Sequence, residues 1–263
     1  DSWGALEHQG AANTPTVLFV HGNSCSKKSF FHQLNDGKLA RRYRLLAVDL
    51  PGHGQTQQCA SLYSVSGQAK FLNAFLSNFR STNLILVGHS LGGHAIFELL
   101  RQFPSVPVKA VFFFQTTPLS RLADLERAFL PYELARLLFE ASPNRKNVER
   151  LFEDFLPTMT DPSPWTEEYF RTDSRFRPAL QASLPQEEWD EPTMLNQKGD
   201  LPIGMLHGKK DPLINERYLQ DLSLHNLWNK KIHELKDAGH FPQFERPREF
   251  NELLGSFIES LGP

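Results

Sequence analysis

Gly88-His89-Ser90-Leu91-Gly92 fits the pattern G-x-S-x-G, which sets a serine on a sharp turn between a strand and a helix. A serine hydroxyl attacks a carbonyl well only when a nearby base takes its proton and a third group orients that base. After a turn of this kind the acid and then the histidine follow the serine in chain order. His240, in Ala238-Gly239-His240-Phe241-Pro242, stands late in the chain and just past a strand pattern, and is the candidate base. His225 lies in a connection and His233 inside a strand, which suits neither for that role. Asp211, in Gly208-Lys209-Lys210-Asp211-Pro212, is the candidate acid; its alternative reading is a turn residue before proline. Asp237 sits so close to His240 that it would more naturally fold into its own turn. Gln115 and its neighbours, at the end of another strand, carry no charge and offer no competing acid.

The negative oxygen formed when Ser90 attacks needs backbone donors. Leu91, directly after the serine, supplies one candidate, and Asn23 in the loop His21-Gly22-Asn23-Ser24 supplies the other. Gly22 would let that backbone come close to a substrate, although His21-Gly22 could equally serve only as a turn. His21 and His89 border these groups and are candidates to line a pocket, as is Phe241 beside the base.

Groups so far apart in sequence need a rigid frame. Asn83 to Val87 is a short continuous apolar run, as expected of a strand buried on both faces. After the serine, Ala95, Ile96, Leu99, Leu100 and Phe103 recur at helical spacing until Pro104. Further strands are expected at 16–20, 44–48, 108–114, 201–206 and 231–235, with any strand before Thr16 short or missing. Amphipathic helices carry Phe71, Leu72, Phe75, Leu76 and Phe79, and, at the end of the chain, Phe250, Leu253, Leu254, Phe257, Ile258 and Leu261. Strands alternating with helices predict an α/β fold, a mainly parallel sheet with helices on both faces. Residues 119–200 break that rhythm, with helical patterns chopped by prolines and no strand. They read as a helical lid inserted in a core made of 1–118 and 201–263, or as a separate small helical domain.

The bulk properties narrow the function classes. A net charge of −2 without a basic stripe argues against a nucleic-acid partner. No apolar stretch reaches the roughly 20 residues needed to span a bilayer, so no membrane association is expected. Cys25 and Cys59 are too few for a disulfide framework and lack metal-site spacing, which points to reduced thiols and a cytoplasmic setting. Asp1-Ser2-Trp3 shows neither an initiator methionine nor a signal peptide, so a trimmed start is expected. Oligomeric state is not readable from the chain.

His21-Gly22, Asp49-x-Pro51-Gly52-x-Gly54, Gly88-x-Ser90-x-Gly92-Gly93, Gly208-x-x-Asp211-Pro212 and Gly239-His240 occur in one order along the chain. In this the sequence resembles the serine α/β-hydrolases over nearly its whole length. His21-Gly22-Asn23-Ser24, Ser90-Leu91-Gly92-Gly93-His94, Thr116-Thr117-Pro118 and Asn226-Leu227-Trp228 are similar to the α/β-hydrolase type of N-acyl-homoserine lactone lactonase. Asp211 stands where that lactonase is expected to carry glutamate, and the lid departs from it. The resemblance implies hydrolysis of a small-molecule acyl ester or lactone through an acyl-enzyme, without metal or cofactor. A lid tyrosine is associated with substrate binding in that lactonase, which makes Tyr132 and Tyr169 the candidates here.

A general carboxylesterase is the main alternative, with carbon–carbon bond hydrolases, peptidases and a non-catalytic receptor behind it. A haloalkane dehalogenase or epoxide hydrolase would need a carboxylate at position 90. The metal-dependent lactonase signature H-x-H-x-D-H is absent from the sequence.

Overall fold

In the computed structural model the described residues are 5–8 (as backbone), 14–79 and 83–262; Asp1-Ser2-Trp3 lie outside them. Seven strands form one sheet: β1 (Ala5–His8), β2 (Thr16–Val20), β3 (Arg44–Val48), β4 (Leu84–His89), β5 (Val108–Phe114), β6 (Ile203–Gly208) and β7 (His233–Leu235). Their spatial order is β1-β3-β2-β4-β5-β6-β7, with β1 antiparallel to β3 and every other pairing parallel. Before Thr16, where strands were expected to be short or missing, there is one short strand: Ala5–His8 pairs with Leu45 to Val48. Those four residues carry no long apolar run, because an edge strand needs little beyond backbone pairing. The last strand is also shorter than expected and begins at His233 rather than Lys231.

Side-chain alternation divides the sheet's two faces. Leu18, Val20, Val111 and Phe113 pack in one apolar cluster with α1 (Val65–Ser77) and α2 (Leu91–Gln102). Val17, Phe19, Phe112 and Phe114 pack in the other, against Phe250, Leu254 and Phe257. A period of two in strands that are apolar throughout is what a sheet covered on both sides requires. Each fully buried Phe or Leu of these clusters contributes about 1.5–3 kcal/mol relative to exposure.

Between β5 and β6, residues 119–200 form helices and turns without a strand. The longer helices there are α3 (Arg145–Phe155), α4 (Ser163–Arg171), α5 (Phe176–Ser183) and α6 (Glu191–Gln197); the chain closes with α7 (Pro247–Ser260). Leu134, Leu137 and Leu138 fall in a short 3₁₀ segment, Glu133–Leu138, whereas Leu151, Phe152 and Phe155 lie on α3. Asn144 caps α3 by accepting from the Lys146 amide, and prolines in the first turn of α4 and α6 suit the start of those helices.

Candidate active site

Ser90 occupies the single residue between the end of β4 and the start of α2. Its φ of 50° and ψ of −119° are strained for a side-chain-bearing residue. Its amide donates to the Phe114 carbonyl at 3.1 Å, and its carbonyl accepts from the Thr116 hydroxyl at 3.1 Å, so the neighbouring strand end fixes the turn. The flanking glycines are required by space. A Cβ on Gly92 would lie 2.4 Å from the Val20 carbonyl oxygen, and one on Gly88 would lie 2.7 Å from the Gly93 Cα.

His240 and Asp211 come together at the ends of β6 and β7. The imidazole Nδ1 of His240 donates to Asp211 Oδ2 at 2.6 Å, which assigns the proton to Nδ1 and leaves Nε2 as a proton acceptor. Asp211 Oδ1 accepts the amides of Leu213 at 2.8 Å and Ile214 at 3.3 Å. Burial alone would raise the Asp211 carboxyl; the adjacent His240 ring and the Leu213 amide outweigh it and hold the group below the ordinary carboxylate range. His240 itself is held by its own backbone, whose amide donates to the Phe155 carbonyl of α3 at 2.8 Å and whose carbonyl accepts from His89 Nε2 at 2.8 Å. Asp237 is elsewhere, exposed and paired with Lys210 at 2.9 Å.

Ser90, His240, Asn23 and Leu91 all line one cavity. Its wall is almost wholly apolar and includes Phe152, Phe155, Phe241, Leu125, Phe129 and Trp189. Leu91 opens α2, so its amide is among those with no acceptor inside the helix, and the helix N-terminus favours negative charge there. The Asn23 loop is clamped by its side chains. Asn23 Nδ2 donates to the Leu138 carbonyl at 2.7 Å, and Ser24 Oγ donates to Asn23 Oδ1 at 3.0 Å.

The candidate substrate contacts divide. His89, Tyr169 and Phe241 line the cavity. The Tyr169 hydroxyl is already committed to the Leu137 carbonyl at 2.5 Å, so what it offers a ligand is its ring. The structure does not bring His21 or Tyr132 to the cavity lining. His21 is fully buried, its Nδ1 donating to the Gly22 carbonyl at 2.7 Å and its Nε2 accepting the Leu50 amide at 2.9 Å. The Tyr132 hydroxyl is turned to Asp154 at 2.8 Å.

Three groups at the site were not singled out from the sequence. Gln115, itself at a φ of 48°, donates from Nε2 to Asp211 Oδ2 and to the Gly239 carbonyl at 3.1 Å, and accepts the Gly208 amide at 2.8 Å. One carboxamide thus joins the loops that carry the candidate acid and the candidate base; only its place at a strand end hinted at it. Arg177, fully buried on α5, donates to Ser24 Oγ at 3.2 Å and to the carbonyls of Glu140 and Tyr169, tying residues 119–200 to the Asn23 loop. Glu245 Oε2 accepts the Gly239 amide at 2.6 Å.

Histidines beneath the site act as neutral braces. His53 Nε2 accepts the Ser24 amide at 3.1 Å, and burial holds His21, His53 and His89 below the ordinary histidine range, His53 and His89 far below it. Unfolded, each would titrate near its usual value of about 6.5. As the pH falls through that value the unfolded chain takes up protons that the folded chain does not, so stability declines on acidification. A thermal unfolding midpoint lower at about pH 5 than at about pH 7.5 is expected. A midpoint that stays level or rises would contradict the neutral state of these rings.

The model of the alpha/beta hydrolase family matches residues 17–253. The chain belongs to the alpha/beta hydrolase family. Among solved structures it is similar to the N-acyl homoserine lactonase AidH complexed with N-butanoyl homoserine, at a TM-score of 0.89 and 25% identity, covering 100% of this chain and 95% of that one. Among curated proteins this hydrolase is 26% identical to the uncharacterized hydrolase YugF of Bacillus subtilis, over 96% of this chain and 93% of YugF. It is 24% identical to the monoacylglycerol lipase abhd6-B of Xenopus laevis, over 95% of this chain and 77% of the lipase. No helix among the described residues is long and apolar enough to cross a membrane.

Proposed function

We propose that this hydrolase cleaves a carboxylic ester or lactone through an acyl-enzyme on Ser90, and that its substrate is an N-acyl homoserine lactone. The observation that carries the reading is the convergence of Ser90, the Asp211-oriented His240 and two candidate amide donors on one apolar cavity. Ser90 Oγ attacks the lactone carbonyl while His240 Nε2 takes its proton. The amides of Asn23 and Leu91 hold the resulting oxyanion. His240 then returns the proton to the ring oxygen as the C–O bond breaks, and water activated by His240 releases the acid. The leaving alkoxide stays tethered to the acyl group, so one ring-opened acid results. The reaction as written uses no metal or cofactor.

Residues 119–200 act as a lid in this reading, since Phe152, Phe155, Tyr169 and Trp189 supply cavity wall over the serine. Support for the lactone comes from the AidH structures. A serine-to-glycine variant of that lactonase is described with N-hexanoyl homoserine lactone, and the protein of that similarity with N-butanoyl homoserine. Quorum-signal degradation is the role that follows. Cys25, buried, and Cys59, half-buried, are both unpaired, which supports a cytoplasmic setting.

The similarity to a monoacylglycerol lipase favours a second reading, a general carboxylesterase on small to medium acyl esters. Competition separates the two. Added to an assay of p-nitrophenyl hexanoate, N-hexanoyl homoserine lactone slows nitrophenolate release as a rival substrate. Release unaffected by saturating lactone would favour the esterase.

A further inference from the structure

On the Ser90 cavity two polar groups, the buried Thr117 Oγ1 and His94 Nε2, make no hydrogen bond among the described residues. Thr117, just past β5, lines the cavity and is only 1% exposed, yet its Oγ1 makes no hydrogen bond among the described residues. His94 lies four residues past Ser90 on α2, about 6 Å along the helix axis at about 1.5 Å per residue, and lines the same cavity. Its Nδ1 is 2.7 Å from Glu191 Oε1, while Glu191 Oε2 accepts the Leu119 amide at 2.8 Å. That brace fixes the ring and leaves Nε2 as its other polar atom, without a partner among the described residues. Bracing alone accounts for Nδ1 and Glu191. It does not account for Nε2 or for the Thr117 hydroxyl, on a cavity also lined by Leu119, Leu125 and Trp189.

A buried polar group without a partner destabilises the protein, and a ligand that supplies the partner removes that cost. With Nδ1–H given to Glu191, a neutral ring needs a donor at Nε2, while the hydroxyl takes either kind of partner. A hydroxyl donates or accepts, and imidazole Nε2 accepts when neutral and donates when charged. A secondary amide carries an N–H and a C=O on adjacent atoms, pointing in opposite directions, one for each group.

We propose that His94 and Thr117 form a subsite for a secondary amide next to the scissile carbonyl, so that the enzyme selects acylated amino lactones or esters over plain alkyl ones. The proposal rests on the reading of Ser90 as the acyl-accepting nucleophile and deepens it to the amide. A substrate without the amide leaves both groups unpaired, and a site built to hydrogen-bond discriminates strongly against such analogues.

The test compares kcat/KM within two matched pairs. One pair is N-hexanoyl homoserine lactone and an alkyl γ-lactone of similar length; the other is N-hexanoylglycine methyl ester and a methyl ester of the same length without the amide. Wild type favours the amide member of each pair. Thr117→Val keeps the side-chain shape and lowers that preference about tenfold. His94→Gln lowers it too while leaving Glu191 an amide donor. A preference unchanged in both variants, or absent from wild type in both pairs, overturns the subsite. If only the open-chain pair is cleaved, the lactone reading fails and the open-chain preference still decides the subsite.

Discussion

Ser90→Ala lowers kcat by about 10⁶-fold, the scale seen when a hydrolase loses its nucleophile. The alanine removes the attacking oxygen and nothing that shapes the cavity, so the variant still binds substrate with an affinity near that of wild type. A residual rate about 10³–10⁴-fold above the uncatalysed reaction remains, because the oxyanion donors and the binding wall are intact. Steady-state kinetics and calorimetric binding on the same preparation check both halves. Turnover near the wild-type rate would remove Ser90 from the chemistry.

Asp211→Asn lowers kcat by about 10⁴-fold with a small change in KM. The carboxylate receives four donors here: His240 Nδ1 and Gln115 Nε2 on one oxygen, the Leu213 and Ile214 amides on the other. An asparagine has one oxygen for those two sides. The two backbone amides cannot change, whereas an imidazole can change tautomer. The new NH₂ therefore turns toward His240, which moves its proton to Nε2 and can no longer accept one from Ser90. A loss of less than about tenfold would mean that another group orients the base. Asp237 is too far engaged with Lys210 on the surface to take that part.

The frame was legible in the residues because its signals are local. Continuous apolar runs marked β2 to β6 to within about two residues at each end, the accuracy usual for element boundaries. G-x-S-x-G marked the turn between β4 and α2. Asp211 and His240 were readable as well, since each follows a strand at the same end of a parallel sheet, where loops gather. What was not legible depends on contacts between distant segments. Ala5–His8 is a strand only because β3 offers it an edge. Gln115 carries no charge and sits in no motif, and its importance appears only when the loops of Asp211 and Gly239 close around its carboxamide. His21 stood beside the Asn23 loop in sequence, yet its ring turns into the protein and holds Leu50. Residues 119–200 have no periodic apolar signature that aligns their surfaces with the serine; the pairing of Arg177 with Ser24, and of Asn23 with Leu138, sets that relation.

The most direct test of the central claim is chromatographic separation of N-hexanoyl homoserine lactone from its ring-opened acid after incubation with the wild-type enzyme and with Ser90→Ala. Wild type is expected to convert the lactone rapidly to the single ring-opened acid, and the variant to do so about 10⁶-fold more slowly. Unchanged lactone in the presence of wild-type enzyme that readily cleaves p-nitrophenyl hexanoate would contradict it.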